Sequence, residues 1–109
     1  MPTGRLGTAN ITTTSNTTIY TVPSSTFSVV SVSVCNRNST TAALIRIAVA
    51  TSASPNPDEY IEYDTSLVAS GVVERTGLVM KATEVLVVQV SSASPTVSVV
   101  AMGIETSTA

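Results

Sequence analysis

Ser28-Val29-Val30-Ser31-Val32-Ser33-Val34 alternates apolar and polar residues with a period of two from Val30 onward. Successive side chains of an extended strand point to opposite faces, so Val30, Val32 and Val34 share one face and Ser31 and Ser33 the other. Such a strand buries one face and wets its opposite. Ile45, Ile47 and Val49 repeat the pattern against Arg46. Helix formers spaced at 3.6 residues are not found, and Ser, Thr and Val dominate instead. The run Val85-Leu86-Val87-Val88-Gln89-Val90 is β-branched and unbroken, the pattern of a strand covered on both faces.

Working outward, turn residues divide the chain into eight expected strands, at 6–12, 18–22, 26–36, 43–51, 60–64, 72–79, 84–91 and 96–105. Asn36-Arg37-Asn38-Ser39-Thr40 reads as a hairpin connection, and Pro55 and Pro57 mark 53–58 as a loop. Eight short strands in 109 residues imply a single all-β domain over 1–109, an antiparallel β-sandwich of jelly-roll or immunoglobulin-like type. Residues 1–5 are expected to form an N-terminal arm and 106–109 a C-terminal tail.

Charged residues make up only 11% of the chain, against the roughly 25% of ordinary soluble domains. Ser and Thr wet such a surface but set up little repulsion between molecules, so a homo-oligomer is expected. Five scattered basic residues and a net charge of −2 provide no stripe for phosphates, which argues against nucleic acid as a partner. No apolar run has the length of a signal sequence or a membrane span, so synthesis in a cytoplasm and no membrane association are expected. The single Cys35 excludes an internal disulfide.

With no histidine, neither a Cys-His dyad nor an imidazole-activated serine is possible. Asp58-Glu59-Tyr60-Ile61-Glu62-Tyr63-Asp64 carries four of the seven carboxylates, with Tyr60, Glu62 and Asp64 on one face if the strand is regular. Calcium favours clustered oxygens, but this stretch lacks the spacing and glycine of a calcium loop. It reads as a solvated face, or one paired with Arg37, Arg46 or Arg75. Glu62 and Glu74 are the pair a glycosidase would need, yet the aromatic platforms of a sugar cleft are scarce. No catalytic residue, metal or cofactor is expected.

Ile19-Tyr20-Thr21-Val22-Pro23, Val32-Ser33-Val34-Cys35-Asn36-Arg37 and Ile45-Arg46-Ile47-Ala48 occur in a familiar order. The acidic stretch and Gly71-Val72-Val73-Glu74-Arg75-Thr76-Gly77 complete it. Over roughly residues 6–104 the set resembles small structural proteins of tailed bacteriophages, above all virion proteins of cyanobacterial phages. The resemblance implies a β-rich particle component and supplies no catalytic residues. The leading expectation is a capsid decoration (cement) protein, a homotrimer on the outer surface of the head that stabilises contacts between capsomers. Its partners would be the major capsid protein or other virion proteins, contacted through Arg5 and Leu6 in the arm and Tyr60 and Tyr63 as aromatic anchors. The alternatives are a tail, baseplate or fibre module, and a carbohydrate-binding or adhesion sandwich outside any virus.

Overall fold

The alternating stretch becomes one of the two central strands of a sheet. In the computed structural model, which describes residues 3–92 and 94–108, the strands are β1 (Thr3–Ile11), β2 (Thr17–Thr21), β3 (Thr26–Asn36) and β4 (Ala43–Ala50), then β5 (Tyr60–Leu67), β6 (Val72–Met80), β7 (Val85–Val90) and β8 (Val97–Ser107). One four-stranded sheet has the order β1-β8-β3-β6 and the other β2-β7-β4-β5. Every pairing is antiparallel. The architecture is an all-β sandwich, and the helical content of the described residues is one 3-10 turn at Pro57–Glu59. The molecule measures 48 × 27 × 19 Å, a thickness suited to two layers packed about 10 Å apart.

The first and last strands run further than the sequence suggests. Thr3, Gly4 and Arg5 pair with Ile104, Gly103 and Met102, so the described part of the expected arm is strand. Thr106 and Ser107 likewise pair with Phe27 and Thr26, within the expected tail. Both extensions satisfy backbone donors and acceptors that would otherwise need water. Met1, Pro2 and Ala109 lie outside the described residues. β5 also continues past Asp64 to Leu67, opposite β4.

Val30, Val32 and Val34 point inward as their parity requires, and meet Ile45, Ile47, Leu86, Val88 and Val90 from the other sheet in one core. β7 is covered twice: Leu86, Val88 and Val90 face that core, while Val85 and Val87 join Ala48, Ala50 and Tyr60 on the outer side. This is why the unbroken apolar run of β7 folds as a strand.

Contacts pass from sheet to sheet at both long edges of the sandwich. On one side Gly7 lies so near β2 that a Cβ there would stand 2.1 Å from the Ile19 carbonyl oxygen, a space only glycine fits. On the other, Arg75 of β6 donates to Glu62 of β5 at 2.7 Å and ties the two edge strands together. Between the sheets, the Tyr20 hydroxyl donates to the Glu105 carboxylate and lies 2.7 Å from Ser28 Oγ, all three residues being buried.

Burial and the Glu105 carboxylate push the Tyr20 phenol from 10.0 up to about 12. Because the folded value is the higher, this contribution is complete below pH 10 and fades as pH rises through about 12. Tyr20→Phe should lower unfolding free energy in urea by about 1–3 kcal/mol, since Glu105 keeps its burial and loses a donor. The variant should also lose the tyrosinate absorbance step near pH 12. A step that survived the substitution would contradict this assignment.

Candidate functional site

β5 departs from regular alternation, and the departure builds the site. Glu62 pairs with Ile47 and Thr65 with Ile45, so Tyr63 and Asp64 together stand opposite the single residue Arg46. Two residues against one is a β-bulge, and Asp64 takes the left-handed conformation with φ 53° to close it. A second irregularity separates Glu62 from Tyr60, which pairs with Ala48. Tyr60, Tyr63 and Asp64 consequently reach the outer face, while Glu62 turns inward to Arg75. The regular-strand expectation that Glu62 and Asp64 share a face fails because of this bulge.

On the outer face Arg46 grips Asp64 with two bonds, Nε to Oδ1 at 2.6 Å and Nη2 to Oδ2 at 3.2 Å. The Ser91 hydroxyl adds a third at 2.8 Å. The Arg46 guanidinium lies 4.1 Å from the centre of the Tyr63 ring, a cation–π contact. Tyr63 in turn meets Tyr60 edge to face, with centroids 5.0 Å apart and planes at 82°. The bonds from Arg46 and then Ser91 hold the Asp64 carboxyl below its usual range, and Asp64 raises Arg46 in return.

The loop before β5 supplies the remaining wall. The Glu59 carboxylate accepts from the Asn56 N–H at 2.7 Å and the Thr51 N–H at 3.1 Å, which pins the loop at both ends. Pro55 and Pro57 are thereby set beside Tyr60 and Tyr63, and these four line an open pocket of about 420 Å³. Tyr63 remains 59% exposed. The ion pair neutralises its own charges, so the surface offered is aromatic and mostly apolar. Such a surface suits binding, with tyrosine and arginine in the roles they hold at interface centres.

Of the residues singled out from sequence, Tyr60 and Tyr63 come together here. Arg5 lies exposed on β1 in the opposite sheet, and Leu6 is half-buried against the core beside an irregularity between Arg5 and Gly7. Arg46 and Arg75 take up acidic partners, whereas Arg37 donates to Asn10. Glu74 pairs with Ser33 on the outer face of its sheet while its neighbour Arg75 turns to Glu62, so Glu62 and Glu74 do not converge. Among the described residues no three His, Cys, Asp or Glu side chains group as a metal would require. Sequence reading missed Pro55 and Pro57 as lining residues. Their signal was present, since two prolines stiffen a loop that leads straight into the two tyrosines.

The sequence matches no known protein-family model, and no curated protein matches it significantly.

Arg46→Met should raise the Asp64 side-chain pKa toward 3.8 by removing its main donor, as read by NMR titration of the carboxyl carbon. In pH terms, the folded value lies below the unfolded one, so the pairing is intact above 3.8 and is lost as pH falls through the lowered value. An unmoved midpoint in Arg46→Met would assign the shift to another group.

Proposed function

We propose that this chain is a non-enzymatic virion structural protein, a capsid decoration protein that binds the outside of a tailed-phage head and stabilises contacts between capsomers. The observation that carries the reading is the Tyr60–Tyr63–Pro55–Pro57 recess, a preformed aromatic anchor on the outer face of a rigid sheet. A ligand or protein that binds only the assembled shell stabilises it by mass action, which is the logic of a cement protein. The partner would be the major capsid protein or another virion protein. The ordered motifs over roughly residues 6–104 support a phage origin.

The finer topology belongs to the same proposal. β1 pairs with β8, β2 with β7, β3 with β6 and β4 with β5, which favours a jelly roll, two Greek keys wound together. In an immunoglobulin-like sandwich the first two strands share a sheet, whereas β1 and β2 here lie in different ones. One observation favours a second function: a pocket of about 420 Å³ walled by two tyrosines could take a sugar ring, as a carbohydrate-binding sandwich would.

An electron cryomicroscopy map of the source particle should place the chain on the outer surface of the head with Tyr63 facing a capsid protein. Tyr63→Ala should then weaken binding to expanded heads at least ~10-fold while leaving the fold intact. Density on the tail, or equal binding by the variant, would remove the decoration reading. Specific retention of glycans, abolished by Tyr63→Ala, would favour the second.

A further inference from the structure

The outer face of the β1-β8-β3-β6 sheet carries an exposed apolar stripe set among hydroxyl side chains such as Ser31 and Ser33. Val79, Val29 and Ile104 lie side by side across β6, β3 and β8. Met102 precedes Ile104 by two residues on β8, and Phe27 precedes Val29 by two on β3. Val79 is 71% exposed, Ile104 49% and Met102 45%. None of them serves the core, which Val30, Val32, Val99 and Ala101 fill from the inner face. Two exposed charges flank this surface on its edge strands: Arg5, paired with Met102, on β1, and Glu74, paired with Ser33, on β6.

We infer that this face seats a second copy of the chain, about a two-fold axis parallel to the strands and midway between β8 and β3. That axis lays β8 of each copy over β3 of the other, so Ile104 meets the second copy's Val29 and the contact repeats in reverse, as an isologous interface requires. It also lays β1 over the second copy's β6. Arg5 lies in the row of Ser31 and Glu74 in the row of Ser33, an offset of two residues or about 6.6 Å, which an arginine side chain spans. Two Arg5–Glu74 pairs would close the two edges. A two-fold axis across the strands lays β1 on β1 and β6 on β6, so that no Arg5–Glu74 pair can form. Charge therefore selects both the occupant and the axis.

The size of the face agrees. Four strands spaced about 4.8 Å, over about eight residues at ~3.3 Å each, give roughly 500 Å² per copy. Two such faces cover about 1,000 Å², the lower bound for specific association, so pairing at micromolar concentration is expected. The sequence reading anticipated three copies, whereas a self-complementary flat face gives two. The inference is independent of the particle-binding proposal, because it concerns the isolated chain and the opposite sheet.

Sedimentation equilibrium from 1 to 100 µM tests it. The wild type should be a reversible dimer, and Ile104→Lys a monomer with an unchanged circular dichroism spectrum. Arg5→Glu and Glu74→Arg should each weaken the dimer at least tenfold, and the double reversal should restore it to within about threefold. A wild-type monomer at 100 µM, a trimer, a dimer indifferent to Ile104→Lys, or a double reversal as weak as the single ones would each overturn the inference. Head binding is measured separately with Tyr63→Ala, whose dimerisation should match the wild type.

Discussion

The interlocking of two inner faces governs this molecule. Val30, Val32 and Val34 on one sheet must meet Ile45, Ile47, Leu86 and Val88 on the other, and the side-chain period of two then fixes every register. A slip by one residue would exchange Val30, Val32 and Val34 for Ser31 and Ser33 at the centre of the core. With the interior so committed, the residues left outward are the ones available for recognition. They are an aromatic recess on one outer face and an apolar row on the other.

Polar groups join the layers where apolar contact alone would let them slide. The Tyr20–Ser28–Glu105 cluster bonds β2 to β3 and β8 inside the sandwich. Buried Asn36 donates from Nδ2 to the carbonyls of Thr41 and Leu67 at 3.0 and 3.2 Å, which fixes the end of β3 against the connections on either side. Among the described residues no buried side-chain nitrogen or oxygen lacks a partner. Satisfied groups of this kind cost little, while each would be expensive to orphan, so they specify one alignment of the sheets.

Alternation made most of the fold legible. Eight strands, the inward valines of β3 and the doubly covered β7 all follow from side-chain parity and β-branching. What parity cannot foresee is its own interruption. The bulge at Tyr63 and Asp64 turns Asp64 toward Arg46 and leaves Glu62 facing inward, an arrangement that the heptapeptide 58–64 does not announce. Half of the candidate site was readable, because Tyr60 and Tyr63 are conspicuous in a chain with so few aromatics. The prolines and Arg46 join them only through loop closure and cross-strand pairing. Ser28 did carry a signal: it shares parity with Val30, a polar residue aimed at the core and in need of a buried partner.

The division into inside and outside is the claim on which both proposed binding faces rest, and hydroxyl-radical footprinting of the isolated chain at submicromolar concentration measures it directly. Met80 and Tyr20 are buried, whereas Met102 and Tyr63 are exposed. The account predicts rapid oxidation of Met102 and Tyr63 and strong protection of Met80 and Tyr20 until the chain unfolds. Met80 reacting as fast as Met102 would mean that the sheets pack through other faces, and would contradict the account at its root.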